Sequence, residues 1–458
     1  MSISIRRSAL LLSRRRLVRG LGVLSAGAVA SALWSACAAP TPTPAPAPPP
    51  TPAPAKPAEA AKPTEAPKPA EAAKPAAEPT KPAAPAAQPA AKPKEITLQV
   101  WFEDDTPTKD KVQEETLKKF SEVKPGVTLT QVLVPFGDIQ TKILTGMAGG
   151  LQLDVLYTHP VLNSTFAQKG ALIPLDAYIK GSSINLEEFF ESNLLQLRYK
   201  NQLYALPYDH ECNLYYYNTD AIKAANLEDP AALYKQGKWT LEKFTEYLEK
   251  LSRGSGADRV FGSQEVPKSL RVQAPYIWGY GGEVFSDDYL AARFNEPPAL
   301  KAWDFVADHV RKGWSPNDAA QKAFPDGRDG MFNSGKLVFR PSIRAYVSTI
   351  KPGLPVGMVP NPVFPGGKEF TRIGNNGLGI YGKAADRDLS WQVLEFIIPR
   401  LNDGFLATSS AMPTRRSLYK SDAWHKVMLP WEVGEFYEKV AFSARGMFLP
   451  PNFAEIDK

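Results

Sequence analysis

Only two cysteines, Cys37 and Cys212, and four histidines occur among the 458 residues. Cys37 lies in what reads as a processing signal, so Cys212 stands alone and the mature chain has no intramolecular disulfide. A solitary cysteine of this kind reads as a small buried apolar residue. There is no Gly-x-Ser-x-Gly elbow, no phosphate-cradling Walker loop and no His-Glu-x-x-His pair, so the commonest hydrolase, nucleotide and zinc-protease chemistries lack their residues. Ser121–Lys124 and Ser348–Lys351 fit Ser-x-x-Lys, a pattern short enough to arise by chance. A basic folded domain is missing too. The formal net charge is +6, and Arg6, Arg7, Arg14, Arg15, Arg16 and Arg19 all precede Cys37 with no acidic residue among them. Without that segment the charge is about zero, which leaves nothing to attract nucleic acid. Long apolar runs are also absent. Leu21–Trp34 is short, contains Gly22 and Gly27, and is less apolar than a membrane span needs.

The first 95 residues read as an address and a tether. Residues 1–37 pair a basic segment with a short apolar run, as export signals do. Arg14-Arg15 resembles a twin-arginine motif, with Leu17, Val18 and Arg19 standing where Phe, Leu and Lys are usual. Leu33-Trp34-Ser35-Ala36-Cys37 resembles a lipobox with Trp34 in place of a smaller residue, which implies lipidation of Cys37. Residues 38–95 are almost entirely Ala, Pro, Thr, Lys and Glu. They bury nothing and are expected to be disordered, with polyproline-II character suited to a spacer.

The folded part begins with alternating strand and helix signals. Ile96–Phe102 is β-rich, Lys109–Val123 is helical, and Val127–Val134 is a strand. Asp138–Ala148 reads as a helix and Leu153–Tyr157 as a strand. This order predicts a parallel sheet, with ligands beyond the carboxyl ends of its strands. Further helices are marked by Leu241, Phe244, Leu248 and Leu251, by Leu300, Trp303, Val306 and Val310, and by Trp391, Leu394, Ile398 and Leu401. At the centre lies Asn201–Asn218, NQLYALPYDHECNLYYYN, two β-prone runs divided by Pro207, Tyr208, Asp209 and His210. It reads as a crossing between lobes, leaving the first at Tyr204–Pro207 and entering the second at Asn213–Asn218.

Several pieces then fall in a recognisable order: Asp154-Val155 on a strand, Gly170–Asp176, Leu203–Pro207 with Tyr216–Asn218, and Trp239-Thr240 opening a helix. Phe294-Asn295, Met331–Lys336, Gly377–Ile380 and Met412–Arg415 follow. From Ile96 to about Arg416 the chain resembles the extracellular solute-binding proteins of ABC importers, most nearly the sugar-binding type. The resemblance implies an α/β fold of the type II periplasmic-binding-protein kind, two lobes with hinge-crossing strands and a cleft between them. It places lobe 1 at 96–207 and 371–415, and lobe 2 at 208–370 with a C-terminal segment at 416–458 that would be short for the family. It implies a monomer anchored by lipid at Cys37 on the outer face of the cell membrane. That monomer captures a mono- or oligosaccharide and passes it to membrane permease subunits, with no cofactor, metal or catalysis. Val338–Tyr346 departs from the family pattern and alters one wall of the site.

A sugar offers flat C–H faces and many hydroxyls, so aromatic rings and polar side chains are its natural partners. For stacking, the candidates are Trp101, Tyr208, Trp278 and Tyr280; for hydrogen bonds, Glu103, Asp209, Arg340, Arg344 and Asn375. Non-sugar solutes are the alternatives: a polyol, a peptide, or a ferric ion held by Tyr215–Tyr217 with His210. A glycoside-acting enzyme would use Asp209 and Glu211, which are expected to point to opposite faces of their strand.

Overall fold

The computed structural model describes residues 95–265, 270–286, 291–447, 449–451 and 453. The export signal, Cys37 and residues 38–94 of the tether lie outside the described residues. Among the described residues no helix is long and apolar enough to cross a membrane.

The opening elements follow the predicted order. They are β1 (Ile96–Glu103), α1 (Pro107–Val123), β2 (Val127–Val134), α2 (Phe136–Gly149), β3 (Val155–Thr158) and α3 (Pro160–Gln168). The Thr106 hydroxyl caps α1 by accepting from Lys109 N at 3.3 Å, and Pro107 supplies a preset first turn. The return to β2 passes through Gly126, whose φ of 88° suits glycine. β1 pairs in parallel with both β2 and β3, so all three carboxyl ends emerge on one edge.

The strand Gly377–Ile380 then lies antiparallel between β3 and Leu206–Pro207. The first sheet therefore runs in the order β2, β1, β3, Gly377–Ile380, Leu206–Pro207. Side chains cover it on both faces: Val100, Phe102, Val155, Leu156 and Leu378 are fully buried. At Gly379 a Cβ would stand 2.4 Å from the Tyr204 carbonyl oxygen, a closeness that only glycine permits.

The second sheet is mixed. Leu214–Asn218 lies antiparallel between Val356–Val359 and Leu337–Ser342, and Leu337–Ser342 pairs in parallel with Phe261–Ser263. Helix Leu241–Leu251, capped by Thr240, buries the predicted face of Leu241, Phe244, Leu248 and Leu251. Helix Pro297–Arg311 forms where expected but on a shifted face. It buries Ala299, Ala302, Val306 and His309, while Leu300 is exposed and Trp303 half-buried.

Two passages of chain join the sheets. Leu206–Asn218 runs from the first sheet to the second, and Ile373–Ile380 ends in the first. Midway, Glu211–Cys212 pairs antiparallel with Ile373–Gly374. A third stretch closes beside them, where Met412 N donates to the His210 carbonyl at 3.2 Å. The molecule is thus two α/β lobes joined by crossing strands, with a cleft over the crossing.

Candidate functional site

The cleft is a cavity of about 240 Å³ with a floor and two walls. Glu103, Asp105, Lys109, Phe136 and His159 form the first wall, and Ile343, Ala345, Tyr346 and Arg271 the second. Asp209, Glu211, Arg372, Gly374, Asn375 and Asn376 come from the crossing strands and form the floor.

Strand ends build the first wall. Glu103 ends β1, Asp105 lies in the turn into α1 and Lys109 in the first turn of α1, Phe136 opens α2 after β2, and His159 caps α3 after β3. Parallel strands deliver their carboxyl ends to one crevice, so these positions follow from topology. His159 Nδ1 accepts from Val161 N at 3.2 Å, and its ring meets Phe136 edge to face at 5.2 Å. Burial holds His159 well below its ordinary value, and Arg271 and Arg372 push in the same direction, so the ring is neutral.

Lys109 is buried and ties the wall to the floor. Its Nζ lies 2.7 Å from Asp105 Oδ2 and 3.2 Å from Asp209 Oδ2. Burial alone would pull Lys109 down, but Asp209, Asp105 and Glu211 together hold it above its ordinary value. Asp209 in turn accepts from the Asn376 backbone N–H at 2.6 Å and from Asn376 Nδ2 at 2.8 Å. Tyr157 Oη lies 2.7 Å from both Asn376 Oδ1 and Glu103 Oε2. Burial pushes Glu103 up to about 7, with Asp105 and Asp209 assisting and the Tyr157 contact and Lys109 opposing.

Glu211 is the unusual group of the floor. It is 5% exposed, and among the described residues neither carboxyl oxygen has a hydrogen-bond partner. Burial pushes it up to about 8, against the pull of Lys109. A buried polar group without a partner is destabilising unless a ligand or water supplies one. The expectation that Asp209 and Glu211 point to opposite faces fails. Residues two apart in an extended chain share a face, and both line the cleft.

Three of the nine sequence candidates, Glu103, Asp209 and Asn375, line this cavity. The other six lie elsewhere. Trp101 is buried in β1, its Nε1 donating to Gln99 Oε1 at 3.0 Å. Tyr208 packs edge to face on Phe102 inside the first lobe. Trp278 faces a different cavity, under the Arg445 guanidinium. Tyr280 packs against Phe305 and Phe364. Arg340 is fully buried and pairs with Asp329 at 2.6 Å. Arg344 pairs with Glu432 at 2.9 Å and donates to the carbonyls of Ser409 and Val427.

Both arginines nevertheless shape the second wall. Arg340 Nη1 donates to the Tyr346 carbonyl at 3.3 Å and Nη2 to Thr349 Oγ1 at 3.1 Å, while Arg344 anchors the start of the same turn. They hold the segment that presents Ile343, Ala345 and Tyr346. Sequence reasoning missed Phe136 and Tyr346, the two large rings exposed at the cleft. Tyr346 lay within the segment that departs from the family pattern. Phe136, between Pro135 and Gly137, carried no periodicity to mark it.

The tyrosines of the ferric alternative do not converge. Tyr215 bonds Glu265 and Tyr276, Tyr216 bonds Tyr437, and Tyr217 bonds Asp229. His210 is buried between Asn193 Nδ2 and Cys212 Sγ, at 2.9 and 3.3 Å. Burial drives its ring to about 3 and raises the Cys212 thiol.

A protein of Brucella abortus (strain 2308), named only as a binding protein, is 25% identical over 308 residues, 64% of this chain and 71% of that one. The substrate-binding protein Lmo0181 of Listeria monocytogenes, solved with cycloalternan, superposes with a TM-score of 0.69 at 15% identity, covering 80% of this chain and 91% of that one. A solute-binding protein of Thermotoga lettingae bound to α-D-tagatose gives a TM-score of 0.65 at 20% identity, covering 79% and 91%. Residues 104–398 match the family described as bacterial extracellular solute-binding protein, and the chain belongs to that family.

Proposed function

We propose that this chain is the solute-binding component of an ABC importer and that its cleft captures a carbohydrate. The lobes, residues 96–207 with 371–415 and 208–370 with 416–458, close on the solute by hinge motion about the crossing strands. The closed form docks on membrane permease subunits and releases its cargo without covalent chemistry. Cys37 carries the lipid that holds the protein at the outer face of the membrane, and residues 38–95 give it reach.

The observation that carries this reading is the buried floor carboxyl of Glu211, unpartnered among the described residues and lining the same cavity as two exposed rings, Phe136 and Tyr346. A polyhydroxy ring satisfies both features at once: its hydroxyls serve Glu211 and its C–H faces cover the rings. The tagatose and cycloalternan bound by the similar folds belong to that ligand class. The test is a thermal-shift screen of the chain against mono- and oligosaccharides, polyols, amino acids and metal ions. A solute that binds only the folded state raises the melting temperature. A shift with carbohydrates is expected. A shift with another class alone removes the carbohydrate assignment, and measurable glycoside turnover overthrows the binding role.

A further inference from the structure

Lys109, Asp209, Asn376, Tyr157 and Glu103 form one continuous row of polar contacts, and proton counting fixes the direction of each. Lys109 Nζ lies 3.2 Å from Asp209 Oδ2, and an ammonium can only donate. The Asn376 backbone N–H donates to Asp209 Oδ1 at 2.6 Å. Both Asp209 oxygens are therefore acceptors, and the Asn376 side chain must turn Nδ2 toward Oδ2, at 2.8 Å. Asn376 Oδ1 then faces Tyr157 Oη at 2.7 Å, and an amide oxygen only accepts. The single Tyr157 proton is committed to Asn376. Tyr157 Oη lies 2.7 Å from Glu103 Oε2 as well, so the proton in that contact has to come from Glu103.

We propose that Glu103 determines ligand specificity as a neutral carboxylic acid, its Oε2–H donating to Tyr157 and its Oε1 offering the cleft an uncharged acceptor for a ligand hydroxyl. This rests on reading the cleft as the solute site. It names the class accepted at this wall: an uncharged polyhydroxy compound, favoured over an ammonium-bearing analogue that would need a carboxylate. The groups facing Glu103 agree with the assignment. Burial, Asp105 and Asp209 favour the protonated form over the opposing pulls of the Tyr157 contact and Lys109. Tyr157, Tyr208 and Tyr346 are all held above the ordinary phenol value and stay protonated. If Glu103 ionises, Tyr157 turns its proton to the carboxylate and Asn376 Oδ1 loses its donor on the crossing strand. Closing the cleft would then also bury a charge, which weakens capture.

Infrared difference spectra of the full chain, taken from mildly acid to mildly alkaline pH, test the proton directly. A protonated-carboxyl band component that titrates at about 7 is expected in wild type and in E211Q, and is lost in E103Q. An unchanged band in E103Q overturns the proposal. Calorimetry with D-tagatose, ribitol and D-glucosamine tests the ligand half. Wild-type affinity for the two neutral probes should fall roughly tenfold as pH rises through this window, the scale of one hydrogen bond. E103Q, whose carboxamide can donate to Tyr157 and accept from the ligand, should hold its affinity across the same range. E103Q retaining the wild-type pH dependence, or D-glucosamine binding more tightly than both neutral probes, overturns the specificity role. If E103Q removes the band but no probe binds at any pH, the proton assignment stands and the reading of the cleft falls.

Discussion

The two walls of the cleft are made by different rules. The first wall is a set of parallel strand ends, where a β-α-β order read along the chain places Glu103, Lys109, Phe136 and His159 at one edge. The second wall belongs to a mixed sheet, for which no such edge rule exists. Its contact residues Ile343, Ala345 and Tyr346 sit in a turn after Leu337–Ser342. That turn is held by side chains distant in sequence: Arg344 pairs with Glu432, 88 positions away. One wall is placed by strand order, with the Lys109–Asp209 pair tying it to the floor, and the other is held by buried ion pairs. The two should therefore break differently.

The largest effect is expected at Arg344. Arg344 and Glu432 bury their side chains to 1% and 0% exposure, so removing one partner strands a charge. Arg344→Met should lower stability by about 3–5 kcal/mol, measured by urea denaturation, and Arg344→Met with Glu432→Gln should recover part of it. A folded, fully stable Arg344→Met protein with weakened solute binding would contradict this and return Arg344 to the ligand.

Next comes the floor. The folded protein pushes Glu211 up to about 8 and Glu103 up to about 7, against an ordinary carboxylate value of 4.5. Folding therefore takes up protons across that window, and stability falls as pH climbs through it. Below the window neither group contributes. Glu211→Gln should match wild type at acid pH and exceed it, by on the order of 3 kcal/mol, at neutral pH, where the unfolded chain ionises Glu211 and the folded one does not. Melting temperatures across pH check this. A gap between the two proteins that is equally large at acid pH would mean that the substitution acts through packing.

The strand and helix order of the opening elements was legible in the sequence. The Val127–Val134 strand forms as expected, and Glu103 and Asp209 lie at the cleft. Their positions depend on strand order and on Pro207 interrupting a β-prone run, both local features. Asn375 lies between Ile373–Gly374 and Gly377–Ile380, in the second crossing passage. Trp101, Tyr208, Trp278 and Tyr280 have the ring chemistry that stacks on a sugar, yet core packing uses the same rings, and burial is decided by partners such as Phe102, Phe364 and Arg445. Arg340 and Arg344 carry the charge that a hydroxyl-rich ligand could use, but Asp329 and Glu432 pair with them. Those partnerships exist only in three dimensions, so a single sequence marks the segment Val338–Tyr346 but does not show which of its side chains face the cavity.

The smallest effects separate ring from ring and test the comparison most directly. Phe136 and Tyr346 are 37% and 36% exposed, one on each wall, so their removal opens no cavity in the core. Phe136→Ala and Tyr346→Ala should each weaken carbohydrate binding roughly threefold to tenfold, the scale of one aromatic contact. Stability should change little. Trp278→Phe should leave affinity unchanged within about twofold, since Trp278 lies under Arg445 and lines a separate cavity. Calorimetry on the three variants with one bound sugar decides the matter. Loss of binding in Trp278→Phe alone would move the site out of the cleft. Equal losses in Phe136→Ala and Tyr346→Ala would mean that the solute touches both walls, and that the wall hidden from the sequence contributes as much as the one it reveals.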